Sequence, residues 1–280
     1  MPWVPRGLRD GIITSRYPRR PDGYGSAYRA GVSVVAPEVS TGSAPCGPRG
    51  QAEGVSHLDR GMDFSELCPT GAITVEEGDL RVDRGRCILC GRCVTEHPEL
   101  FAFDPDIEVA ALERESLVVP SHDPAEQDQA LERSRTELAR RVRVLRRSVH
   151  IRHVDAGSDG AEEWEIAALT NPVYDLGRLG VFFTASPRHA DLLLVTGAGT
   201  TGMVGPLRRT WQAMPSPKVV IAAGTDAISG GMARSSYATQ GGIGGLVPVD
   251  VWVPGSPPSP FSLLNGILVA VGLLQPRKLR

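Results

Sequence analysis

The sequence is short of four things: cysteine, aromatic side chains, net charge and long apolar runs. Only 5 of its 280 residues are cysteine, too few for the disulfide framework of a small secreted domain. Aromatic residues are 5% against a hydrophobic total of 41%, so the core must be mostly aliphatic, in a chain long enough for two domains. The 32 acidic and 30 basic residues leave a formal net charge of -2. That excludes a global attraction to nucleic acid or to an anionic membrane surface. The longest apolar run, residues 263–274, is about half of the ~20 residues a membrane-spanning helix needs. Asn265 and Gly266 interrupt it, and it reads as a buried C-terminal helix with no direct membrane span. Arg19 and Arg20 are followed by Pro21, Asp22, Gly23 and Tyr24 rather than by an apolar stretch. No secretory or twin-arginine signal is read there, and the expected location is the cytoplasm.

What is present is unevenly distributed. Residues 1–58 are rich in Gly, Pro, Ser and Arg without a sustained period, and read as an extended arm that lies on a partner or stays mobile. Next come short apolar pieces around cysteines. Residues 72–75 and 80–82 suggest a small hairpin turning at Glu77-Gly78-Asp79. Residues 121–150 read as a basic linker helix, in which Leu131, Leu138, Val142, Leu145 and Val149 form an apolar stripe. Its arginines suit either a solvated face or a docking surface for an acidic partner. Beyond Ala156, strands at residues 192–195, 218–222 and 246–253 alternate with a helix at 203–214 and the terminal helix. Unbroken apolar strands in such an alternation imply an α/β fold with a parallel sheet covered on both faces.

Four of the five cysteines are compactly spaced, which in a reducing compartment argues for metal ligation; Cys46 stands apart among Pro and Gly. Cys87, Cys90 and Cys93 form a Cys-x-x-Cys-x-x-Cys run that supplies three thiolates from one loop. Cys68, followed by Pro69, is the natural fourth ligand, because in the run C-x2-C-x2-C-x3-C-P the last cysteine serves the other cluster. Together they suit one 4Fe-4S cluster; zinc, the alternative, favors paired knuckles.

This segment resembles the bacterial two-cluster ferredoxins, with one cluster gone. By that resemblance the missing cysteines would fall at Leu58, Gly61, Phe64 and His97, and all four positions belong to the same cluster. The implied unit is a small α+β ferredoxin-like domain with a single cluster over residues 59–120. His97 reads as a surface or packing residue, with iron ligation as the alternative.

From Arg152 onward the chain resembles the small subunit of energy-converting nickel-iron hydrogenases of the formate hydrogenlyase type, and the homologous B subunit of NADH-quinone oxidoreductase. The residues that carry the resemblance include His153 to Ser158, Asn171 to Leu176, Ala185 to Asp191, Met214 to Lys218 and Val247 to Gly255. Thr14-Ser15-Arg16-Tyr17-Pro18 and the ferredoxin-like segment resemble the separate ferredoxin subunit of the same complexes, here fused ahead. The resemblance implies a flavodoxin-like parallel-sheet domain over residues 151–280. It also implies a large-subunit partner of the hydrogenase (complex I 49-kDa-like) kind, membrane subunits, and a peripheral place on the inner face of the membrane through them. Nucleic acid is not an expected partner.

In that family the small subunit holds a further 4Fe-4S cluster on four cysteines, and none is present here. The matching positions are Asp159, Glu162, Asp226 and Ser256, so the proximal cluster is expected to be absent. A solvated or arginine-paired pocket is the favored reading of these residues; a hard cation such as magnesium, calcium or manganese on their oxygens is the alternative. Residues 197–202, Gly-Ala-Gly-Thr-Thr-Gly, match a dinucleotide fingerprint with Asp226 as a candidate ribose partner, but the favored reading is a strand-end turn. The expected function is an iron-sulfur electron-transfer subunit of a membrane-associated oxidoreductase, without a catalytic site of its own. A structural or docking subunit of such a complex is the alternative.

Overall fold

The computed structural model describes residues 3–20, 27–35, 64, 66–76, 79–121, 123–145 and 148–277. The strands among them form three sheets. The largest is parallel and five-stranded, built from β6 (Val149–Asp155), β7 (Val181–Phe183), β8 (Leu192–Thr196), β9 (Val219–Ala223) and β10 (Val251–Val253). Its order is β10-β9-β8-β6-β7. Counted from the first strand this is 2-1-3-4-5, the flavodoxin-like arrangement, whose ligand crevice lies at the carboxyl ends of the strands.

The apolar strands are buried on both sides because alternate residues feed different cores. Leu192 and Leu194 face a core with Leu138, Phe261, Leu264 and Leu268. Leu193 and Val195 face another with Leu207, Ile228 and Ile243. α7 (Pro260–Ala270) is buried along its whole length, as its apolar sequence requires. Its one amide, Asn265, donates to the Tyr17 hydroxyl at 3.2 Å and accepts from the Ala110 N–H at 3.1 Å. α5 (Val204–Ala213) matches the expected helix to within a residue at each end.

The ferredoxin-like part has two small sheets. β2 (Ile73–Glu76) and β3 (Asp79–Asp83) form the expected antiparallel hairpin, and β5 (Val118–Val119) adds to β3. Of the turn, Glu77 and Gly78 lie outside the described residues. β1 (Gly31–Val34) pairs antiparallel with β4 (Phe101–Asp104). α2 (Arg92–Glu96) follows the cysteine loop.

Three expectations need correction. Over its described residues, 3–20 and 27–35, the arm expected at residues 1–58 packs on the rest of the chain. α1 (Trp3–Asp10) opens it, β1 completes a ferredoxin-side sheet, and Tyr17 is 3% exposed against Phe261. The Ser15 N–H donates to the Val173 carbonyl at 2.8 Å, and Arg178 donates to the carbonyls of Ser15 and Tyr17. The linker helix, α3 (Pro124–Val142), starts as expected with Asp123 accepting from the N–H groups of Ala125 and Glu126. It ends eight residues before residue 150, because Val149 already belongs to β6, the strand between β7 and β8. The strand expected at 246–253 shrinks to Val251–Val253. The Asp250 carboxylate instead accepts from the Val220 N–H at 2.8 Å and pairs with Arg141. The arginine face of α3 is therefore partly used within the chain. Arg140 pairs with Glu137, while Arg133 and Arg143 remain exposed.

Candidate functional site

The cysteine loop is shaped by its backbone. After β3, the Asp83 carbonyl accepts from the N–H groups of Arg86 and Cys87 at 3.0 and 3.1 Å, and its carboxylate accepts from the Gly85 N–H at 2.9 Å. The same carboxylate takes a two-pronged bond from Arg114, at 2.9 and 2.7 Å. Leu89 (φ 55°) and Gly91 (φ 76°) then take left-handed conformations that wrap the loop between Cys87 and Cys93. On the other side the Ala72 N–H donates to Cys68 Sγ at 3.2 Å.

The result is one partly enclosed hollow lined by Cys68, Cys87, Cys90 and Cys93 together with Val32, Leu67, Ile73, Val82 and Ile88. The four cysteines named from the sequence are thus brought together; Cys46 lies outside the described residues. Burial pushes the Cys87 thiol up to about 12 and raises that of Cys93. A buried thiolate is stable only beside positive charge, which iron would supply. Among the described residues no group of three or more His, Cys, Asp or Glu side chains forms a cage for a metal ion.

Sequence reasoning missed Arg84. It is 1% exposed, lies 3.2 Å from the Asp104 carboxylate, and carries its charge beside Cys87. Its signal was available only in hindsight: an arginine three residues before a cysteine, facing glycine. A Cβ at Gly31 would lie 3.0 Å from the Arg84 side chain.

The positions of the lost ferredoxin cluster have a different fate. Leu58 and Gly61 lie outside the described residues. Phe64 is 5% exposed, and its ring meets His97 at 6.1 Å and Phe101 at 6.0 Å, edge to face in both cases. His97 Nδ1 lies 3.1 Å from a Glu99 carboxylate oxygen. His97 is thus a packing residue.

The second group of candidates lies where α4 (Ala161–Ala168) and α6 (Thr225–Ser229) begin, at the carboxyl ends of β6 and β9. Glu162 is 2% exposed, Asp226 is half-buried, and Asp159 and Ser256 are exposed. Burial first, then the charges of Asp226, Asp159 and Glu163, push the Glu162 carboxyl up to about 7; burial first, then Asp159 and Glu163, raise that of Asp226. Ser256 follows Gly255, whose carbonyl accepts from the Thr225 N–H at 2.7 Å. Among the described residues no arginine or lysine pairs with Asp159, Glu162 or Asp226. The neighboring Thr225 hydroxyl donates to the Cys87 carbonyl at 3.0 Å, and Arg234 donates to the Pro69 carbonyl at 2.6 Å. The cysteine loop therefore contacts α6 at the residue next to Asp226.

The glycine loop at residues 197–202 is filled by protein. A Cβ at Gly197 would fall 2.5 Å from the backbone of Gly157 and Ser158, and one at Gly199 would fall 2.6 Å from the Gly242 carbonyl. The Thr201 N–H is taken by the Ala238 carbonyl. These glycines serve close backbone packing, the strand-end-turn reading.

Residues 160–270 match the family described as NADH ubiquinone oxidoreductase, 20 Kd subunit, and residues 80–133 match the 4Fe-4S single cluster domain. Formate hydrogenlyase subunit 7 of Escherichia coli (strain K12) is 42% identical over 134 residues, which are 48% of this chain and 52% of that protein. The chain thus spans about half the length of that relative. The probable membrane-bound hydrogenase subunit mbhJ of Pyrococcus furiosus is 39% identical over 142 residues, 50% of this chain and 85% of that protein. A chain in the structure of the membrane-bound sulfane sulfur reductase, an archaeal respiratory membrane complex, shares 30% identity over 47% of this chain and 74% of its own, with a TM-score of 0.42.

Proposed function

The chain belongs to the NADH ubiquinone oxidoreductase 20 Kd subunit family, and from that premise we propose that it is an iron-sulfur electron-transfer subunit binding one 4Fe-4S cluster. Cys68, Cys87, Cys90 and Cys93 hold the cluster. One observation carries the reading: all four line a single hollow, while the described positions of a second ferredoxin cluster, Phe64 and His97, hold packed rings. When bound, the cluster supplies one-electron transfer. The chain's own groups exclude water with Val32, Leu67 and Val82, fix the loop through Asp83 and Arg114, and set positive charge beside Cys87 with Arg84.

The complex is a membrane-associated oxidoreductase of the hydrogenase or respiratory complex I type. Its hydrogenase-large-subunit-like (complex I 49-kDa-like) and membrane subunits are the partners, and the location is cytoplasmic and peripheral. Among the described residues no helix is long and apolar enough to cross a membrane, which fits attachment through those partners. Asp159, Glu162, Asp226 and Ser256 leave no thiolate for a proximal cluster, so the electron's route ends or turns at the Cys87 loop. A docking subunit whose cluster only stabilizes the fold is the second reading, favored by the missing proximal thiolates.

Anaerobic purification, reconstitution with iron and sulfide, and low-temperature electron paramagnetic resonance of the reduced protein test the assignment. About four irons per chain and one cubane signal, lost in Cys87→Ser and Cys90→Ser, support it. About eight irons, or zinc in place of iron, overturn it.

A further inference from the structure

Glu162 is a buried acid with one carboxylate oxygen unsatisfied. It stands in the first turn of α4, 2% exposed, and its Oε2 makes no hydrogen bond. Gly224, at φ 92°, lies so close that a Cβ would fall 2.4 Å from Glu162 Oε1. The carboxyl is thus pressed against the backbone that leaves β9. The charged groups facing it are Asp226 on α6, Asp159 before α4 and Glu163 on α4, all acidic. Behind Glu163 stands His153 of β6, 3.5 Å away and held toward its neutral form mainly by burial. An ionized Glu162 therefore has neither a hydrogen bond at Oε2 nor a nearby ion pair, and the group favors its protonated form up to about neutral pH.

The pocket is tied to the redox loop by one residue. Asp226 follows Thr225, and the Thr225 hydroxyl donates to the Cys87 carbonyl. A negative charge arriving on that loop and a negative charge on Glu162 repel each other through low-dielectric protein.

We propose that Glu162, with Asp226 beside it, is a proton-binding site coupled to the electron carried by the Cys87 loop. The inference rests on the cluster reading above. Glu162 Oε2 takes one proton from water as one electron enters from a low-potential one-electron donor, and returns the proton to water when the electron leaves. The O–H bond forms and breaks at the carboxyl; the added charges cancel, and no other bond changes.

The test is a redox titration of the reconstituted chain with dithionite over about one pH unit either side of neutrality, with infrared difference spectra of oxidized and reduced states. The expected result is a midpoint potential that falls as pH rises and a protonated-carboxyl C=O band that gains intensity on reduction. In Glu162→Gln the slope flattens and the band is lost. If that variant does not fold, Asp226→Asn must change the slope and shift the band. A flat potential in the wild type with a full iron load, or an unchanged slope in Glu162→Gln, overturns the proton coupling alone. A chain that binds no iron overturns the cluster reading and the coupling together.

Discussion

Phe64 and His97 meet edge to face with ring centroids 6.1 Å apart, at two positions where a second ferredoxin cluster would need thiolates. The same aromatic contact includes Phe101, and packed rings stabilize it.

Removing the central ring tests this directly. Phe64→Ala should cost about 3–5 kcal/mol, as large-to-small substitutions of a buried aromatic do. Chemical denaturation at fixed iron load measures the loss, and iron per chain should stay unchanged. A loss of iron in this variant would mean that Phe64 supports the remaining cluster as well.

Glu162 should make stability depend on pH. Below its ordinary value of 4.5 the carboxyl is neutral in both states. As pH rises from 4.5 toward about 7, the unfolded chain has released the proton while the folded protein retains it. The unfolded state then binds fewer protons, so stability falls across this window and levels off above it. The loss should be roughly 3 kcal/mol, and Glu162→Gln should remove that component. Thermal unfolding of both proteins across the window measures it.

The buried charge of Arg84 depends on Asp104. Asp104→Ala should destabilize by about 3–5 kcal/mol, because it leaves a guanidinium inside without its carboxylate. Arg84→Met restores apolar packing and should cost much less, while lowering the midpoint potential of the Cys87 loop by removing a nearby positive charge. Denaturation and redox titration of the two variants separate the effects.

Gly224→Ala should be poorly tolerated for two reasons at once. The φ of 92° is unfavorable for a residue with a Cβ, and the added atom would lie 2.4 Å from Glu162 Oε1. Soluble yield and melting temperature should both fall. Gly202→Ala, which meets nothing within 4 Å, should leave them unchanged.

The sequence by itself determined the cysteine set, the hairpin, α5, α7 and the parallel sheet. These rest on local signals: ligand spacing, apolar runs and turn residues. Only tertiary structure decided that Val149–Asp155 would be a strand, since its mixed polar pattern continues a helix as readily until β7 and β8 flank it. Tertiary structure likewise seated Tyr17 on Phe261 and Asn265, a contact across more than 240 residues that no local period encodes. The acidic residues at positions 159, 162 and 226 were legible as residue types. Which one would be buried was not, because burial of Glu162 depends on how closely the glycine after β9 approaches the first turn of α4. Side-chain type is a local property of the chain; solvation is a property of everything that packs around it.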